Sequence, residues 1–413
     1  MFDFILISFV GISIGLFSGL MPGAHINTLL PLLLSFSAFF NLSPHHLAVL
    51  IVSTAMSEIF FNFISSIFIG APEEETALSV LPGHRLLLEG KGYEAIRLIV
   101  IGGVGSLTLT ILFIAFLSPY FTSFYKLTRP YIHFAIIAVV AFMIFSEKTP
   151  RRIISSIFII SLSGIFGLIV LNSKLLPSQH ILLPIFTGMF GLSTLMVSLS
   201  ETSKIPEQKE DFCLGISTKE IIRSIFLGSI AGVMTGFLPA IGVSQATVIV
   251  QYLGGTGDAR SFLVTLSGIN VGNEVFSLIS LYLVSNPRSG ASVAIQQILS
   301  ELSFYDVLLL IGTICFVSGI SALLTLYLGE RIPKFLIKLD YKTLTLSVIS
   351  FICAMVFIWT GIMGIFVLSI STAIGLLCVH LEIRRSHCMG VLMIPSILFF
   401  SGLNPVVLSA LGI

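Results

Sequence analysis

The sequence predicts an all-α polytopic membrane protein made of two inverted-topology repeats with broken or re-entrant helices. Three observations carry that prediction. Hydrophobic residues make up 55% of the chain and charged residues 10%, with a mean hydropathy of +1.06, whereas ordinary soluble domains carry about 25% charge. Apolar runs recur along all 413 residues, many near the ~20 residues a helix needs to cross a bilayer. One glycine–proline pattern occurs twice, as Gly11, Gly15, Gly19, Pro22 and as Gly228, Gly232, Gly236, Pro239, every member shifted by 217. The runs are too long and too uniformly apolar for barrel strands, and open sheet edges do not survive in hydrocarbon. A net charge of +1 leaves no nucleic-acid footprint.

In the first half the apolar segments fall at about 4–20, 24–40, 46–71, 95–118, 131–146, 153–172 and 181–199. The first of them follows only Met1-Phe2-Asp3 and lacks a basic flank, so it reads as a retained span rather than a cleaved signal peptide. In the second half they fall at about 221–238, 243–253, 261–285, 305–328, 343–360, 362–381 and 389–402. The chain thus divides into a first transmembrane repeat (1–200), a charged cytoplasmic hinge (201–220) and a second transmembrane repeat (221–413). Residues 243–253 are too short to span ~30 Å at 1.5 Å per residue, so they and 24–40 read as candidate re-entrant half-helices.

Basic residues orient the copies. Counting one crossing per segment places Arg85, Lys91 and Arg97, the Lys148–Arg152 loop, the hinge, Arg331 to Lys342, and Arg384 with Arg385 on one side, which should be cytoplasmic. Loops at equivalent repeat positions then fall on opposite faces, as an inverted repeat requires.

The glycines at i, i+4 and i+8 line one helix face and admit a second backbone. Pro22-Gly23 then breaks the helix, because proline lacks a donor and glycine accepts any φ. A helix starting beyond the break presents free N–H groups and a positive dipole end to an anion. That assigns Pro22, Gly23, His25, Asn27 and Thr28, with Pro239, Gly242, Ser244 and Gln245 in the second copy, as the substrate-binding set. Two such ends related by a pseudo-twofold would converge on one small anion near the midplane.

Ser57-Glu58-Ile59-Phe60 is echoed by Asn273-Glu274-Val275-Phe276, now at an offset of 216. An intramembrane carboxylate costs at least ~2.5 kcal/mol by insertion scales, so Glu58 and Glu274, with Asn62, Asn270 and Asn273, are read as the H⁺ or Na⁺ coupling site. The polar insert from Pro72 to Glu94 and its counterpart from Pro287 to Glu301 read as loops, with the Pro72–Thr76 turn a candidate further half-helix start. No lysine or arginine is expected deep in the apolar segments. The five cysteines form no CxxC pair and read as small hydrophobes, and the histidines show no metal spacing, so no cofactor or metal is expected. Gly255-Thr256-Gly257-Asp258 and Tyr305-Asp306 match the GxGD and YD elements of intramembrane aspartyl proteases in reversed order. A dyad needs both carboxylates within hydrogen-bonding reach, and the expectation is that the protein is no enzyme.

Gly19-Leu20-Met21-Pro22-Gly23, the Pro72–Ala95 stretch with its Glu89-Gly90-Lys91-Gly92-Tyr93 core, and Gly232-x3-Gly236-Phe237-Leu238-Pro239 together resemble the large permease subunit of tripartite tricarboxylate transporters, the TctA family. His25 stands where that family has a second glycine, and Ala240 where it has a glycine after the second proline. The resemblance implies a multi-pass cell-membrane secondary transporter for a small organic anion of the carboxylate class. It also implies coupling to H⁺ or Na⁺, a small membrane subunit and an extracytoplasmic binding protein. The alternative that keeps the architecture is a polyprenyl-phosphate translocase, in which membrane lipid supplies the phosphate cargo.

Overall fold

The computed structural model describes residues 2–21, 26, 29–30, 33, 42–70, 76–173, 175–176, 180–200, 206–208, 214–237, 242–253, 258–285, 287, 289–299, 301–336 and 341–411. Every regular element among them is helical. Seven described helices are long and apolar enough to cross a membrane, and a bent pair near the C-terminus adds an eighth if counted as one span. Large apolar side chains such as Phe17, Phe116, Phe145, Phe158 and Leu323 stand exposed on their outer faces, as lipid-facing positions do.

Helices α1 (Phe2–Leu20) and α2 (Pro44–Ile64, continued by a π turn at Ser65–Ile69) pack along the glycine ladder. Ser43 caps α2 by accepting from His46 N, and Pro44 at the first position fixes the entry. A Cβ at Gly19 would come within 2.8 Å of Phe61 Cβ and 2.9 Å of Glu58 O, so only glycine allows this approach. Gly11 meets Leu50–Thr54, Gly15 meets Thr54–Glu58, and Gly19 meets Glu58–Asn62. Positions therefore rise together, and α1 and α2 run parallel. The chain joining the end of α1 to the start of α2 connects opposite ends of that pair.

The second copy repeats the arrangement with α8 (Thr218–Phe237) on α10 (Ala259–Val284). Gly228 meets Thr265 and Gly268, Gly232 meets Ile269 and Gly272, and Gly236 meets Phe276 and Ser277, again in parallel. The return stretch between them includes α9 (Val243–Leu253), 11 residues long and about half a bilayer at 1.5 Å per residue.

Two further spans tie the pairs together. Helix α4 (Gly92–Thr128) runs alongside α10 in the same direction, through Glu94–Arg260, Ser267 Oγ donating to Ile99 O at 2.7 Å, and the Phe121–Phe276 ring pair. Its start lies against Phe68 at the end of α2 and its Gly103 against Phe60, so α4 opposes α2. Helix α12 (Phe304–Leu336) runs with α1 and α2, from His45–Asp306 through Phe9–Phe316, and ends with Gly329 on Ile96 near the start of α4. Helices α1, α2 and α12 point one way, and α4, α8 and α10 the other.

The polar inserts are not loops throughout. Val80–Leu88 forms a short helix, α3, that buries His84, Leu86 and Leu87, and Gly290–Leu299 forms its counterpart, α11, which buries Ala291, Ala294 and Ile295. Hydrophobicity along the chain hid both, because each is too short to span.

The remaining helices pack beside this frame: α5 (Ile132–Phe145), α6 (Pro150–Asn172), α7 (Leu182–Phe186, through a π turn at Thr187–Leu192, to Ser193–Ser200), α13 (Tyr341–His380), α14 (Gly390–Ser401) and α15 (Asn404–Leu411). Gly361, at φ 66° and ψ −162°, breaks α13 where the sequence predicts two segments. That backbone region is open essentially to glycine alone.

The basic loops assigned to one side do meet at one end of the bundle. Gln208 in the hinge accepts from Gly92 N and donates to Leu87 O, and Gly215 N donates to Glu94. Arg152 pairs with Glu382, and His387 with Glu147, at 2.9 Å each. Within 201–220 the described residues 206–208 and Gly215 are thus tied to the first copy. Residues 201–205 and 209–213 lie outside the described residues.

Candidate functional site

The two helix breaks fall partly outside the described residues. Pro22, Gly23, His25, Asn27, Thr28 and Pro239 are not among them. Gly242 is, and its carbonyl accepts from Ala246 N at 3.0 Å as α9 begins, with Ser244 and Gln245 in the first turn. The short helix expected after the second proline therefore exists, and its N-terminal end is where the sequence puts the anion cradle.

In the stretch after the first proline, Ile26 is described, and it reaches a residue of the coupling set. Glu58 is 4% exposed. Its Oε2 accepts from Ser18 Oγ at 3.0 Å, and its Oε1 accepts from the backbone N–H of Ile26 at 3.2 Å. Ile26 lies four residues beyond Pro22, so a donor of the predicted cradle already serves a buried carboxylate. One turn further on, Asn62 Oδ1 accepts from Thr76 Oγ1 and from Ser65 Oγ at 3.4 Å each. Ser66, Ser79 and Thr76 O complete this cluster at the start of α3.

The second copy has a cluster of the same plan. Ser277 Oγ bonds Ser292 Oγ at 2.9 Å and accepts from Ser289 N at 2.6 Å, at the start of α11. Ser289 Oγ donates to Glu274 Oε1 at 3.1 Å. Asn270 is buried and donates to Leu266 O on its own helix, while Asn273 is half-buried.

Packing register corrects the pairing of the acids. Measured from the glycine ladders, Leu50 corresponds to Thr265, Thr54 to Ile269, Phe61 to Phe276 and Asn62 to Ser277, each a shift of 215. Glu58 therefore corresponds to Asn273, and Glu274 to Ile59. One helical residue is a rotation of about 100°, at 3.6 residues per turn. Glu58 faces α1 and the first break, whereas Glu274 faces Ser289.

The carboxylates of the protease-like motif do not form a dyad. Asp306 bonds Ser303 and His45 at the start of α2, whereas Asp258 lies 3.8 Å from Arg260 at the start of α10. Those two ends are separated by the 26 residues of Pro44–Ile69, roughly 35–40 Å at 1.5 Å per residue. No group of three or more metal-ligating side chains occurs among the described residues.

Two features escape sequence reasoning. Arg385, between two apolar segments, is only 7% exposed, and its guanidinium donates to Phe190 O and Thr194 Oγ1. The sequence shows only an arginine pair at a helix end, and nothing there marks which one turns inward. Cys378 and Cys388 lie with their sulfurs 3.3 Å apart, both buried, although ten residues separate them in sequence.

The comparisons agree with this architecture. The model of the tripartite tricarboxylate transporter TctA family matches residues 5–390. The chain is 34% identical over 403 residues to the uncharacterized protein MJ1079 of Methanocaldococcus jannaschii, covering 95% of this chain and 97% of that relative. No solved structure matches the chain. With both glycine–proline copies and the intervening helices inside the matched span, this multi-pass membrane protein belongs to the tripartite tricarboxylate transporter TctA family.

Proposed function

We propose that this chain is the translocating subunit of a secondary transporter for a small organic anion of the carboxylate class, driven by H⁺ or Na⁺. A small membrane subunit and an extracytoplasmic binding protein would complete the system. The two copies are proposed to be inverted-topology repeats, a reading supported by the opposed directions of α1–α2–α12 and α8–α10–α4 in corresponding places.

The observation that carries the reading is the hydrogen bond from Ile26 N to Glu58. If the stretch after Pro22 forms the expected helix start, its N–H groups, which already serve a side-chain carboxylate, suit the chemistry of a solute carboxylate. The two anions would compete for the same donors. Neutralising Glu58 with a proton, or screening it with Na⁺, releases the donors to the solute, so cation and anion enter together. The coupling then needs no basic residue at the midplane. In the second copy Asn273 holds the position of Glu58, and Glu274 with Ser289 supports the neighbouring turn. His25, Asn27, Thr28, Ser244 and Gln245 would add side-chain donors around the bound anion.

The test is uptake of labelled citrate, succinate and acetate into proteoliposomes holding this chain with its small subunit, under an imposed pH or Na⁺ gradient. Gradient-dependent accumulation that disappears in Glu58→Gln supports the reading. Accumulation by Glu58→Gln equal to the parent removes the coupling role.

A further inference from the structure

A cavity of about 560 Å³ opens at the end of the bundle where the basic loops meet. Its wall comes from four places in the chain: Ala77 and Leu78 before α3, with Arg85 on it; Phe190 in the π turn of α7; Asp258 at the start of α10; and Arg384 with Arg385 after α13. Three arginines thus line one cavity against one aspartate. Their settings differ. Arg85 is mostly exposed and pairs with Glu89 at 3.0 Å. Asp258 lies 3.8 Å from Arg260, which itself pairs with Glu94. Arg385 is buried, and neutral oxygens of Phe190 and Thr194 hold its guanidinium in place. Its hydrogen-bond partners among the described residues are these uncharged oxygens, with the buried Cys378 and Cys388 thiols also near it, so its positive charge is oriented by the fold while remaining available to an anion.

The cavity also adjoins the Glu58 cluster. Ala77 and Leu78 in its wall follow directly on Thr76, whose hydroxyl bonds Asn62, one turn from Glu58. Planar guanidinium groups recognise carboxylates in pairs of parallel hydrogen bonds. We propose that this cavity is a vestibule binding solutes with two or more carboxylates, selecting charge number at one mouth of the pathway. The idea rests on the transport reading above for its meaning, but the binding it asserts is measurable without transport.

The test uses the full chain in nanodiscs with Leu78→Cys, and follows modification of that thiol by a membrane-impermeant methanethiosulfonate. The protein without the substitution gives the background from its own cysteines. Citrate at about ten times its dissociation constant should slow modification about tenfold by occupancy alone. Succinate should protect at higher concentration, and acetate and inorganic phosphate at matched ionic strength should protect far less. Arg385→Gln should abolish the citrate effect. Because that residue is buried and its loss endangers folding, Arg85→Gln with Arg384→Gln at the rim provides a second arm, where the citrate concentration for half protection should rise at least severalfold. Acetate as effective as citrate, phosphate as effective as citrate, or citrate protection unchanged in the rim variant overturns the proposal. Protection of the expected pattern in a protein that transports no carboxylate supports the vestibule and removes the transport reading. Carboxylate transport without protection does the reverse.

Discussion

The backbone N–H of Ile26 donates to the carboxylate of Glu58 at 3.2 Å, across a pair of helices held together by glycine. The bond joins the stretch after the first helix break to the most buried acid among the described residues of the first copy. In Glu58→Gln the amide oxygen still accepts from Ile26 N, while the amide NH₂ takes the place of Oε2 and donates to Ser18 Oγ, whose own proton stays on Gly15 O, so the fold is retained while the charge and its proton are lost. Gradient-driven accumulation of solute should fall by an order of magnitude or more, whereas solute exchange down its own gradient persists. Paired accumulation and exchange assays in one preparation of proteoliposomes measure both.

The shift of 215 makes a second prediction. If coupling follows the position facing the break, Asn273→Ala should impair accumulation more than Glu274→Gln. Glu274→Gln retains an oxygen for Ser289 Oγ, and its register equivalent in the first copy is the apolar Ile59. Equal loss in both variants, measured as initial uptake rates at matched protein density, would assign the role to the Asn273-Glu274 pair as a unit.

The glycine ladders allow a prediction about stability with an internal control. A Cβ at Gly232 would come within 2.9 Å of Gly272 Cα, and one at Gly19 within 2.8 Å of Phe61 Cβ, so backbone must move to admit it. Gly19→Val and Gly232→Val should lower the thermal unfolding midpoint in detergent steeply. At Gly312 and Gly319 a Cβ would meet no atom within 4 Å, and helix-interior Gly→Ala gains roughly 0.5–1 kcal/mol. Gly312→Ala and Gly319→Ala should hold or raise the midpoint.

The class of protein, most helix boundaries and the two glycine-ladder helix pairs were legible in the sequence because they follow from hydrophobic run length and from glycine spacing. Residues 341–380 show this at single-residue detail, with the break at Gly361 falling between the two apolar segments read there. The pairing of the acids was not legible. Matching Glu58 to Glu274 maximises identity, but a gap can sit on either side of the pair, and a one-residue slip turns a side chain about 100° around its helix. The contacts of the paired ladder glycines, Gly11 with Gly228, Gly15 with Gly232 and Gly19 with Gly236, fix the register. The helices Val80–Leu88 and Gly290–Leu299 were masked by their polar surroundings, since each buries a face too short to give a spanning signal. Arg385 was hidden for a different reason: its oxygen partners Phe190 and Thr194 lie nearly two hundred residues away.

The last prediction concerns the joint between the two copies. Arg260 Nε donates to Glu94 Oε1 at 2.7 Å, the two side chains being 14% and 8% exposed, and Gly215 N donates to the same oxygen. Hinge, first copy and second copy therefore meet at one carboxylate. Removing one member of a buried pair leaves the other desolvated without its counter-charge, which costs about 3–5 kcal/mol, whereas removing both costs far less. Arg260→Met leaves Glu94 with the Gly215 N–H and the more distant charge of Lys91, and Glu94→Gln leaves Arg260 with the half-exposed Asp258 at 3.8 Å and the more distant charge of Glu89. Each single variant should lower the unfolding midpoint strongly. The double variant should be less destabilised than the sum of the two, as contacting residues in a double-mutant cycle are. Additive losses would mean that the pair contributes packing alone, and that the copies are held by the Ser267–Ile99 and Ser229–Ser106 hydrogen bonds beside it.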